Sequence, residues 1–334
     1  MTLATMTGID LTAWQGRIDA VDGDAGRRWH QVVKPLGRDA TVAGTVLLGF
    51  ACDAGVARNH GRTGAAAGPQ AVRRQLANLA WHGTAGARLY DAGDVACGDG
   101  NLELAQARFA GRLGEILRDG HRVVGIGGGH EIAWASYQGI AAAFDGDARL
   151  HRFGIINFDA HFDLRQPETA GRGSSGTPFL QIAAARAAAG LPFHYLCLGL
   201  SEAANTRALF ERAAALGARH VKDVDIGRDL AADAVREFVA GCDAVYCTFC
   251  LDVLPAATAP GVSAPAGLGV PLHRAVELLR LVVAECGRGP RDKLVMADVA
   301  ELNPLHDASD ARTARAAARI VYELSGLGAG VGGN

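Results

Sequence analysis

The chain has 334 residues, of which 49% are hydrophobic and 20% are charged. Its 33 basic and 35 acidic residues give a formal net charge of −2, which excludes a basic field that would attract nucleic acid or an anionic membrane. The amino terminus has no basic stretch followed by an apolar one, and no run of about 18 apolar residues occurs. We therefore expect a cytoplasmic protein that acts on a small molecule, without nucleic-acid or membrane partners.

Short apolar runs alternate with Ala- and Leu-rich stretches along the whole chain. The runs predict strands over residues 45–50, 122–128, 153–159, 193–200, 244–253 and 293–299. The stretches predict helices over residues 69–80, 102–118, 131–143, 204–216, 229–240 and 272–286. This βαβ rhythm indicates an α/β fold with a mostly parallel sheet and helices on both faces. Because no linker or repeat marks a boundary, we expect a single domain over residues 1–334, with residues 1–40 as an N-terminal extension.

Seven cysteines, an odd number scattered over a long chain, favour reduced thiols over a disulfide framework. The stretch "CTFC" has the spacing of redox dithiols and zinc half-sites, but it continues an apolar strand and no second such pair occurs. Side chains alternate along a strand, so Cys250 shares a face with Asp252 and not with Cys247. We therefore interpret Cys250 with Asp252, and not Cys247 with Cys250, as the pair that points to a functional site.

Acidic and imidazole side chains follow four of the predicted strands. They are His130 after the second strand, Asp159, His161 and Asp163 after the third, Cys250 and Asp252 after the fifth, and Asp298 and Glu301 after the sixth. Ligands of open parallel sheets bind beyond the carboxyl ends of the strands. An extended D-x-H-x-D segment over residues 159–163 places three ligand-type side chains on one face at steps of roughly 7 Å. Mixed Asp and His ligands suit a divalent ion such as Mn, Co, Ni or Zn.

Each of these residues alone also has an ordinary structural explanation. A buried Asp at a strand end is often a helix or turn cap, and His130 after glycines is often a packed core histidine. Together the residues favour a cation, because buried carboxylates so close to one another repel unless a positive charge neutralises them. The "GIGGGH" stretch is not a dinucleotide-binding fingerprint, because that motif requires glycine at the position of His130.

The segments "GGGHEIAW", "NFDAHFDLR", "SSGTPF", "LDVLPAATAPGVSAP" and "ADVAELNP" resemble, in this order, the ureohydrolase (arginase/agmatinase) family, and within it the formimidoylglutamase branch. The resemblance implies an arginase-like three-layer α/β/α fold, a homo-oligomer, and two manganese ions joined by a bridging hydroxide. It further implies hydrolysis of N-formimidoyl-L-glutamate to L-glutamate and formamide, a reaction of histidine degradation.

The resemblance also implies a role for each strand-end residue. One manganese ion is expected on His130, Asp159, Asp163 and residue 250, and the other on Asp159, His161, residue 250 and Asp252. Asp163 is expected to pass the proton of the hydroxide to the leaving nitrogen, and Glu301 to pair with the cationic nitrogen end of the substrate.

Position 250 departs from the family, which has Asp where this chain has Cys250. A thiolate offers one soft sulfur instead of two oxygens, and manganese prefers oxygen. Three outcomes remain open. The enzyme is active with a preference shifted toward zinc, iron or nickel, or it holds one metal tightly and the other poorly, or the chain is a catalytically silent homologue.

The two carboxylates of the implied substrate need hydrogen-bond donors. Arg165 is the first candidate, because it follows the metal motif directly and its planar guanidinium suits a carboxylate. Further candidates are Asn59, Arg62, Arg172, Ser174, Ser175 and Thr177. A guanidino substrate is the alternative within the family, and it would not require Arg165 beside the metals. No histidine occurs from 164 to 193, which argues against an arginase.

Overall fold

The structure is a computed structural model that describes residues 11–37, 40, 42–84, 86–227, 229–289 and 291–327. Nine strands in these ranges form one sheet in the order β1-β3-β2-β4-β9-β8-β5-β6-β7, and every neighbouring pair is parallel. They are β1 Lys34–Pro35, β2 Thr45–Ala51, β3 Leu89–Ala96, β4 Arg122–Gly127, β5 Phe153–Phe158, β6 His194–Leu200, β7 Arg219–Lys222, β8 Ala244–Cys250 and β9 Leu294–Ala300.

Helices cover both faces of this sheet. They are α1 Trp29–Val32, α2 Ala54–Arg58, α3 Gly68–Leu76, α4 Leu102–Arg118, α5 Ile132–Ala143, α6 Pro178–Ala188, α7 Arg207–Ala215, α8 Asp229–Ala240, α9 Leu272–Cys286 and α10 Arg312–Leu324. The apolar sides of α3, α8, α9 and α10 share one core, and those of α4, α5, α6 and α7 share the other. The predicted α/β/α architecture with a parallel sheet is therefore confirmed.

The central strands are apolar on both sides because each side faces a layer of helices. In β5, Ile155 packs into one core and Ile156 into the other, and both are fully buried. Adjacent residues of a strand point to opposite faces, so a strand between two helical layers reads as a continuous apolar run. This run is the signal by which the sequence predicts β2, β4, β5, β6, β8 and β9.

Several predicted boundaries are wrong by a few residues. The strand predicted to extend through residue 253 ends at Cys250 and continues as one turn of 3-10 helix over Leu251–Val253. The helix predicted over residues 69–80 ends at Leu76. Seven of the α-helices and β-strands lie outside the predicted strands and helices, namely α1, α2, α6, α10, β1, β3 and β7. In β3 the two carboxylates Asp91 and Asp94 hide the strand pattern.

The described part of the N-terminal extension packs on the domain. Trp29 is fully buried, and its ring lies edge-on to that of Trp81 at a centroid distance of 6.2 Å. Trp14 Nε1 donates a hydrogen bond of 2.7 Å to Asp91 Oδ2. Residues 1–10, 38, 39, 41, 85, 228, 290 and 328–334 of the expected single domain lie outside the described residues. No helix within the described ranges is both long enough and apolar enough to cross a membrane.

Candidate active site

The carboxyl ends of β4, β9, β8 and β5, which are neighbours in the sheet, bring the candidate ligands together. Ligand atoms of His130, Asp159 and Cys250 lie within 4.8 Å of one another, and those of Asp159, His161 and Asp252 form a second such group. Asp159 belongs to both groups. Its Oδ2 lies 3.0 Å from His130 Nδ1 and its Oδ1 lies 3.4 Å from His161 Nδ1.

Asp163 and Asp252 complete the two halves of the cluster. Asp163 Oδ2 lies 2.9 Å from His130 Nδ1, and Asp252 Oδ2 lies 3.3 Å from His161 Nδ1. The side chains of His130 and Asp159 are at most 1% exposed, whereas those of His161 and Asp163 are 23% and 13% exposed. The cluster is therefore closed on the side of the sheet and open on the side of the loops.

The prediction that residues 159–163 are extended is wrong. The strand ends at Phe158, and Asp159 Oδ1 accepts a hydrogen bond of 2.7 Å from the backbone N–H of His161. An Asp side chain that bonds the backbone two residues ahead bends the chain into a turn. Asp163 then adopts a left-handed conformation with φ of 49°, which is uncommon outside glycine. The turn, and not strand alternation, aims the three side chains at one point.

Protonation of the cluster shows how strongly its charges interact. Burial disfavours the ionised form of Asp159, but hydrogen bonds and charge from His130 and His161 outweigh it and lower the pKa of Asp159. Burial and the charge of Asp159 raise the pKa of Asp163 to about 6. Burial, followed by the charges of Asp159 and Asp252, raises the pKa of the Cys250 thiol well above its usual value. Without a cation, these groups hold protons that an ion would displace.

The donor set fits a divalent metal ion. Asp252 Oδ1 is buried and makes no hydrogen bond within the described part of the chain, and the buried His130 Nδ1 faces the carboxylate oxygens of Asp159 and Asp163. No Lys or Arg side chain in those ranges forms an ion pair with the clustered carboxylates, and the two histidines alone face them. Imidazole nitrogen, carboxylate oxygen and one thiol sulfur are ligands that first-row divalent ions accept.

A buried polar chain behind the cluster orients His130. The second ring nitrogen, Nε2, lies 3.0 Å from the Thr248 hydroxyl. Thr248 is the register partner of Asp298 on the neighbouring strand, and its hydroxyl is one of the groups that lower the pKa of Asp298 against burial. When Nε2 carries the proton and donates to Thr248, Nδ1 presents its lone pair to the cluster, as a metal-ligating histidine requires.

Glu301 lies at the end of β9 beside His130. It has a φ of 72°, and its Oε1 accepts a hydrogen bond of 2.9 Å from the backbone N–H of His130. Its Oε2 is buried and makes no hydrogen bond to the described residues. Burial, followed by the charges of Glu131 and Asp252, raises the pKa of Glu301 well above its usual value. A strained backbone and an unpaired buried oxygen are typical of a functional site.

The glycines of "GGGHE" serve close packing. A Cβ on Gly128 would lie 1.7 Å from the carbonyl oxygen of Cys52, and a Cβ on Gly129 would lie 2.0 Å from Glu131 Oε2. Only glycine permits this approach of the loop to its neighbours. The motif therefore positions His130 and Glu131.

A cavity of about 560 Å³ opens beside the loop that follows β5. Of the predicted substrate-binding residues, it is lined by Asn59, Arg165, Arg172 and Ser174. The structure places Arg62, Ser175 and Thr177 elsewhere. Arg62 donates hydrogen bonds to the carbonyls of Val262 and Ser263, and Ser175 donates its N–H to Gly55 O. The Thr177 hydroxyl lies 3.1 Å from Ser174 O and 2.9 Å from Gln181 Oε1. These three residues hold the loops together.

The sequence analysis missed residues of the site that come from distant segments. Arg58 and Arg212 also line the cavity, and Thr248 supports His130. A signal for Thr248 was present in the sequence, because it precedes Cys250 by two residues and so shares its face of β8. No comparable sequence signal pointed to Arg212, since it lies on α7 far along the chain from the metal motif.

Comparisons with known proteins agree with this site. The arginase family model matches residues 43–326. The formimidoylglutamase of Aromatoleum aromaticum is 51% identical to this chain over 327 residues, which cover 95% of this chain and 92% of that protein. The formimidoylglutamase of Ralstonia nicotianae is also 51% identical, and the match covers 95% of this chain and 96% of the relative.

Solved structures agree with the sequence relatives. The crystal structure of Trypanosoma cruzi formiminoglutamase with Mn2+ superposes with a TM-score of 0.76 at 27% identity, covering 89% of this chain and 96% of that one. The formimidoylglutamase of Bacillus subtilis has a TM-score of 0.77 at 19% identity and supports the fold alone. The family model matches most of the chain, and the sequence relatives match nearly all of it. The chain belongs to the arginase family.

Proposed function

We propose that the protein hydrolyses N-formimidoyl-L-glutamate to L-glutamate and formamide. The observation that carries the proposal is a buried cluster of acids and imidazoles whose Asp163 lies two residues before Arg165, which lines an arginine-rich cavity. In a substrate with an amidine at one end and two carboxylates at the other, the amidine would face the cluster and the carboxylates would face the arginines of the cavity. The names of the sequence relatives support the same substrate.

We further propose two manganese ions as the cofactor, one on each group of ligands. His130, Asp159, Asp163 and Cys250 would hold the first ion, and Asp159, His161 and Asp252 would hold the second, with Cys250 as a further ligand shared between the two. When bound, the ions would lower the pKa of a water molecule and so supply a nucleophile at neutral pH. The solved neighbour with Mn2+ supports manganese as the metal.

The residues around the cluster have complementary roles in this proposal. Asp163, which lies beside His130 and is partly open to solvent, would accept a proton from the water and return it to the departing nitrogen. Glu301 would direct its unpaired Oε2 at the positively charged amidine nitrogen. Attack at the formimidoyl carbon gives a tetrahedral intermediate. Its C–N bond to the glutamate nitrogen breaks as that nitrogen gains the proton.

The rival within the family is a guanidino substrate with one carboxylate or none. Arg165 lines the cavity, and its guanidinium makes no hydrogen bond or ion pair with any described residue. An unpaired arginine repels the cationic substrates of that class and attracts a dicarboxylate. This contrast favours the formimidoyl substrate.

Substrate comparison tests the proposal. The purified protein, depleted of metal and reloaded with manganese, is supplied in turn with N-formimidoyl-L-glutamate, agmatine, 4-guanidinobutyrate and L-arginine. We expect kcat/KM to be at least about 100-fold higher for the first, which corresponds to about 2.7 kcal/mol of transition-state discrimination. A higher kcat/KM for any guanidino compound would refute the assignment.

Cys250 is tested by the same assay on Cys250→Asp, with metal content measured after loading with manganese, zinc or nickel. We propose that the thiolate is a working ligand, so that the parent protein holds two ions and turns over without the substitution. Two bound ions with no turnover of any amidine would identify a silent homologue. Strong activity that appears only in the Asp variant would identify an impaired site.

We also propose a homo-oligomer in the cytoplasm, on the strength of the family resemblance. The seven cysteines are free thiols, in keeping with a reducing compartment. Light scattering after size-exclusion chromatography measures the oligomer, and a monomer at micromolar concentration would contradict that part of the proposal.

A further inference from the structure

The charges of the cavity are only partly neutralised by the chain itself. Arg58 donates to both carboxylate oxygens of Glu103, the shorter of these contacts being 2.6 Å, and so it is paired. His60 Nε2 lies 3.1 Å from Glu168 Oε1, a contact that cancels charge only when the imidazole is protonated. Arg58 therefore has no charge left over for a ligand, and Glu168 contributes at most one negative charge to the cavity.

Three other arginines line the same cavity and form no ion pair among the described residues. The guanidinium groups of Arg165 and Arg172 form no ion pair with the described residues, and both side chains are exposed. Arg212 is half-buried, and its Nη1 donates a hydrogen bond of 2.6 Å to the carbonyl of Leu164. A carbonyl satisfies one N–H but leaves the positive charge uncompensated.

Arg212 differs from the other two in how firmly it is held. It projects from α7, a regular helix, whereas Arg165 and Arg172 belong to a long loop. Its guanidinium is bonded to the carbonyl of Leu164, the residue that lies between Asp163 and Arg165 in the chain. A guanidinium held in place before binding loses less side-chain entropy when it engages a carboxylate.

We infer that Arg212 is a specificity-determining residue that binds one of the two carboxylates of a dicarboxylate substrate, with Arg165 binding the other. The inference rests on the proposed function, and it names the source of selectivity within that site. Two like charges in one cavity repel each other, and a dianion relieves that repulsion where a monoanion relieves only part of it. The cavity thereby selects substrates by the number of carboxylates.

The competing explanation is that Arg212 only supports the loop through Leu164. A purely supporting residue affects all substrates alike, because it shifts the loop whatever is bound. A carboxylate-binding residue affects only substrates that carry its carboxylate. The two roles are therefore separated by comparing substrates and not by activity alone.

The test uses Arg212→Gln and Arg212→Lys on the full, metal-loaded protein. N-formimidoyl-L-glutamate is compared with N-formimidoyl-L-glutamine and N-formimidoyl-4-aminobutyrate, which lack the side-chain and the α-carboxylate respectively. We expect Arg212→Gln to raise KM for the dicarboxylate about 10- to 100-fold with little change in kcat, and to leave one of the two analogues almost unaffected. Arg212→Lys restores part of the loss because it keeps the charge.

The matched control is Arg207→Gln on the same helix. Arg207 is 91% exposed, pairs with Glu211 and does not line the cavity, so we expect no change in KM. An equal loss in kcat/KM for all three substrates, or no loss for any, would overturn the inference.

A second measurement does not depend on turnover. L-glutamate raises the melting temperature of the protein if it binds the cavity. We expect Arg212→Gln to reduce this shift and Arg207→Gln to retain it. If the parent protein fails to hydrolyse N-formimidoyl-L-glutamate but keeps an Arg212-dependent shift, the proposed function fails and the dicarboxylate site stands. If turnover is found and the shift is the same in both variants, the inference about Arg212 fails alone.

Discussion

Two buried charged clusters lie on the same sheet, and they are built in opposite ways. In the first, Arg73 of α3 binds both oxygens of Asp91 at 2.8 and 2.9 Å and also reaches Asp94 Oδ1 at 2.5 Å. In the second, Asp159, Asp163 and Asp252 face two histidines and one thiol. The first cluster contains its own cation, and the second contains acids that compete for protons.

Hydrogen-bond satisfaction shows the same difference. Both oxygens of Asp91 accept a second bond, from Gly93 N and from Trp14 Nε1. In the second cluster Asp252 Oδ1 has no hydrogen-bond partner among the described residues, and His130 Nδ1 faces the two carboxylates with which it would share an ion. Buried polar atoms are nearly always paired in a purely structural network. The unsatisfied cluster is therefore arranged for an external ion, whereas the satisfied one stabilises the fold.

The largest effect is expected from breaking the self-neutralised cluster. Arg73→Met leaves Asp91 as a buried acid without its cation, which we expect to lower the free energy of unfolding by about 3–5 kcal/mol. Denaturant unfolding of the metal-free protein measures the loss. Arg207→Met, at an exposed position, is the control and should change stability by less than about 0.5 kcal/mol. Unchanged unfolding of Arg73→Met would mean that the network contributes little to the fold.

The second cluster should behave differently when its shared acid is neutralised. Asp159→Asn removes the repulsion from Asp163 and Asp252 but also the attraction of His130 and His161, so we expect the metal-free protein to lose less stability than Arg73→Met does. Loss of a residue that only supports a metal ligand lowers metal affinity or activity about 10- to 100-fold. Because Asp159 would itself bind both ions, we expect activity to fall by more than about 100-fold. Asp233→Asn, on the exposed side of α8, is the control. A metal-free Asp159→Asn protein as unstable as Arg73→Met would contradict the distinction between the clusters.

Metal addition sharpens the comparison further. At 100 times its dissociation constant, a bound ion should add about 2.7 kcal/mol to the free energy of unfolding. We expect the parent protein and Arg73→Met to gain this stability from manganese, and Asp159→Asn to gain little of it. Thermal unfolding with and without a chelator provides the measurement. An equal gain in Asp159→Asn would place the ion elsewhere.

A smaller effect is expected at the support of His130. Thr248→Val keeps the shape of the side chain but removes the hydroxyl that holds His130 Nε2, and we expect metal affinity to fall about 10- to 100-fold. Thr248→Ser retains a hydroxyl and should lose less. Titration calorimetry with manganese compares the three proteins. Equal affinity of Thr248→Val and the parent would exclude a role in orienting the ring.

These clusters also show how much of the structure the sequence predicts. Apolar runs predict the central strands, and parallel pairing places His130, Asp159 and Cys250 at one edge before any coordinates are known. The strand β3 is not predicted because Asp91 and Asp94 interrupt its apolar pattern, and Arg73 on α3, which pairs with both, is 18 and 21 residues away. The alternation of side chains along one strand carries no information about a cation that reaches it from another element.

The loops are predicted less well for the same physical reason. Arg62 and Arg165 look alike in the sequence as donors near the metal motif. In the structure the guanidinium of Arg62 bonds carbonyls of Val262 and Ser263, whereas that of Arg165 faces the cavity. Which arginine is free for a ligand depends on tertiary hydrogen bonds. Arg212 enters the cavity through the packing of α7, which no spacing rule anticipates.

The smallest effect is expected from pH, and here the metal-free and metal-loaded proteins should change in opposite directions. In the folded, metal-free chain the pKa of Asp163 is raised to about 6, and carboxylates beside His130 raise its pKa well above 6.5. Both groups therefore bind protons more tightly when folded, so stability rises as pH falls from about 8 toward 5. The lowered pKa of Asp159 opposes this trend only below about pH 4, where its unfolded form gains a proton.

Protons and metal ions compete for the same donors, so the metal-loaded protein should lose its ion over the same range. Thermal unfolding at pH 8, 7, 6 and 5, with chelator or with manganese, should show the two melting curves converging as pH falls. Asp163→Asn cannot titrate, and it should flatten the metal-free curve between pH 6 and 5. A metal-free protein that instead loses stability from pH 8 to 5 would mean that folding does not raise the pKa values of Asp163 and His130. The contrast with the Arg73 cluster would then be wrong.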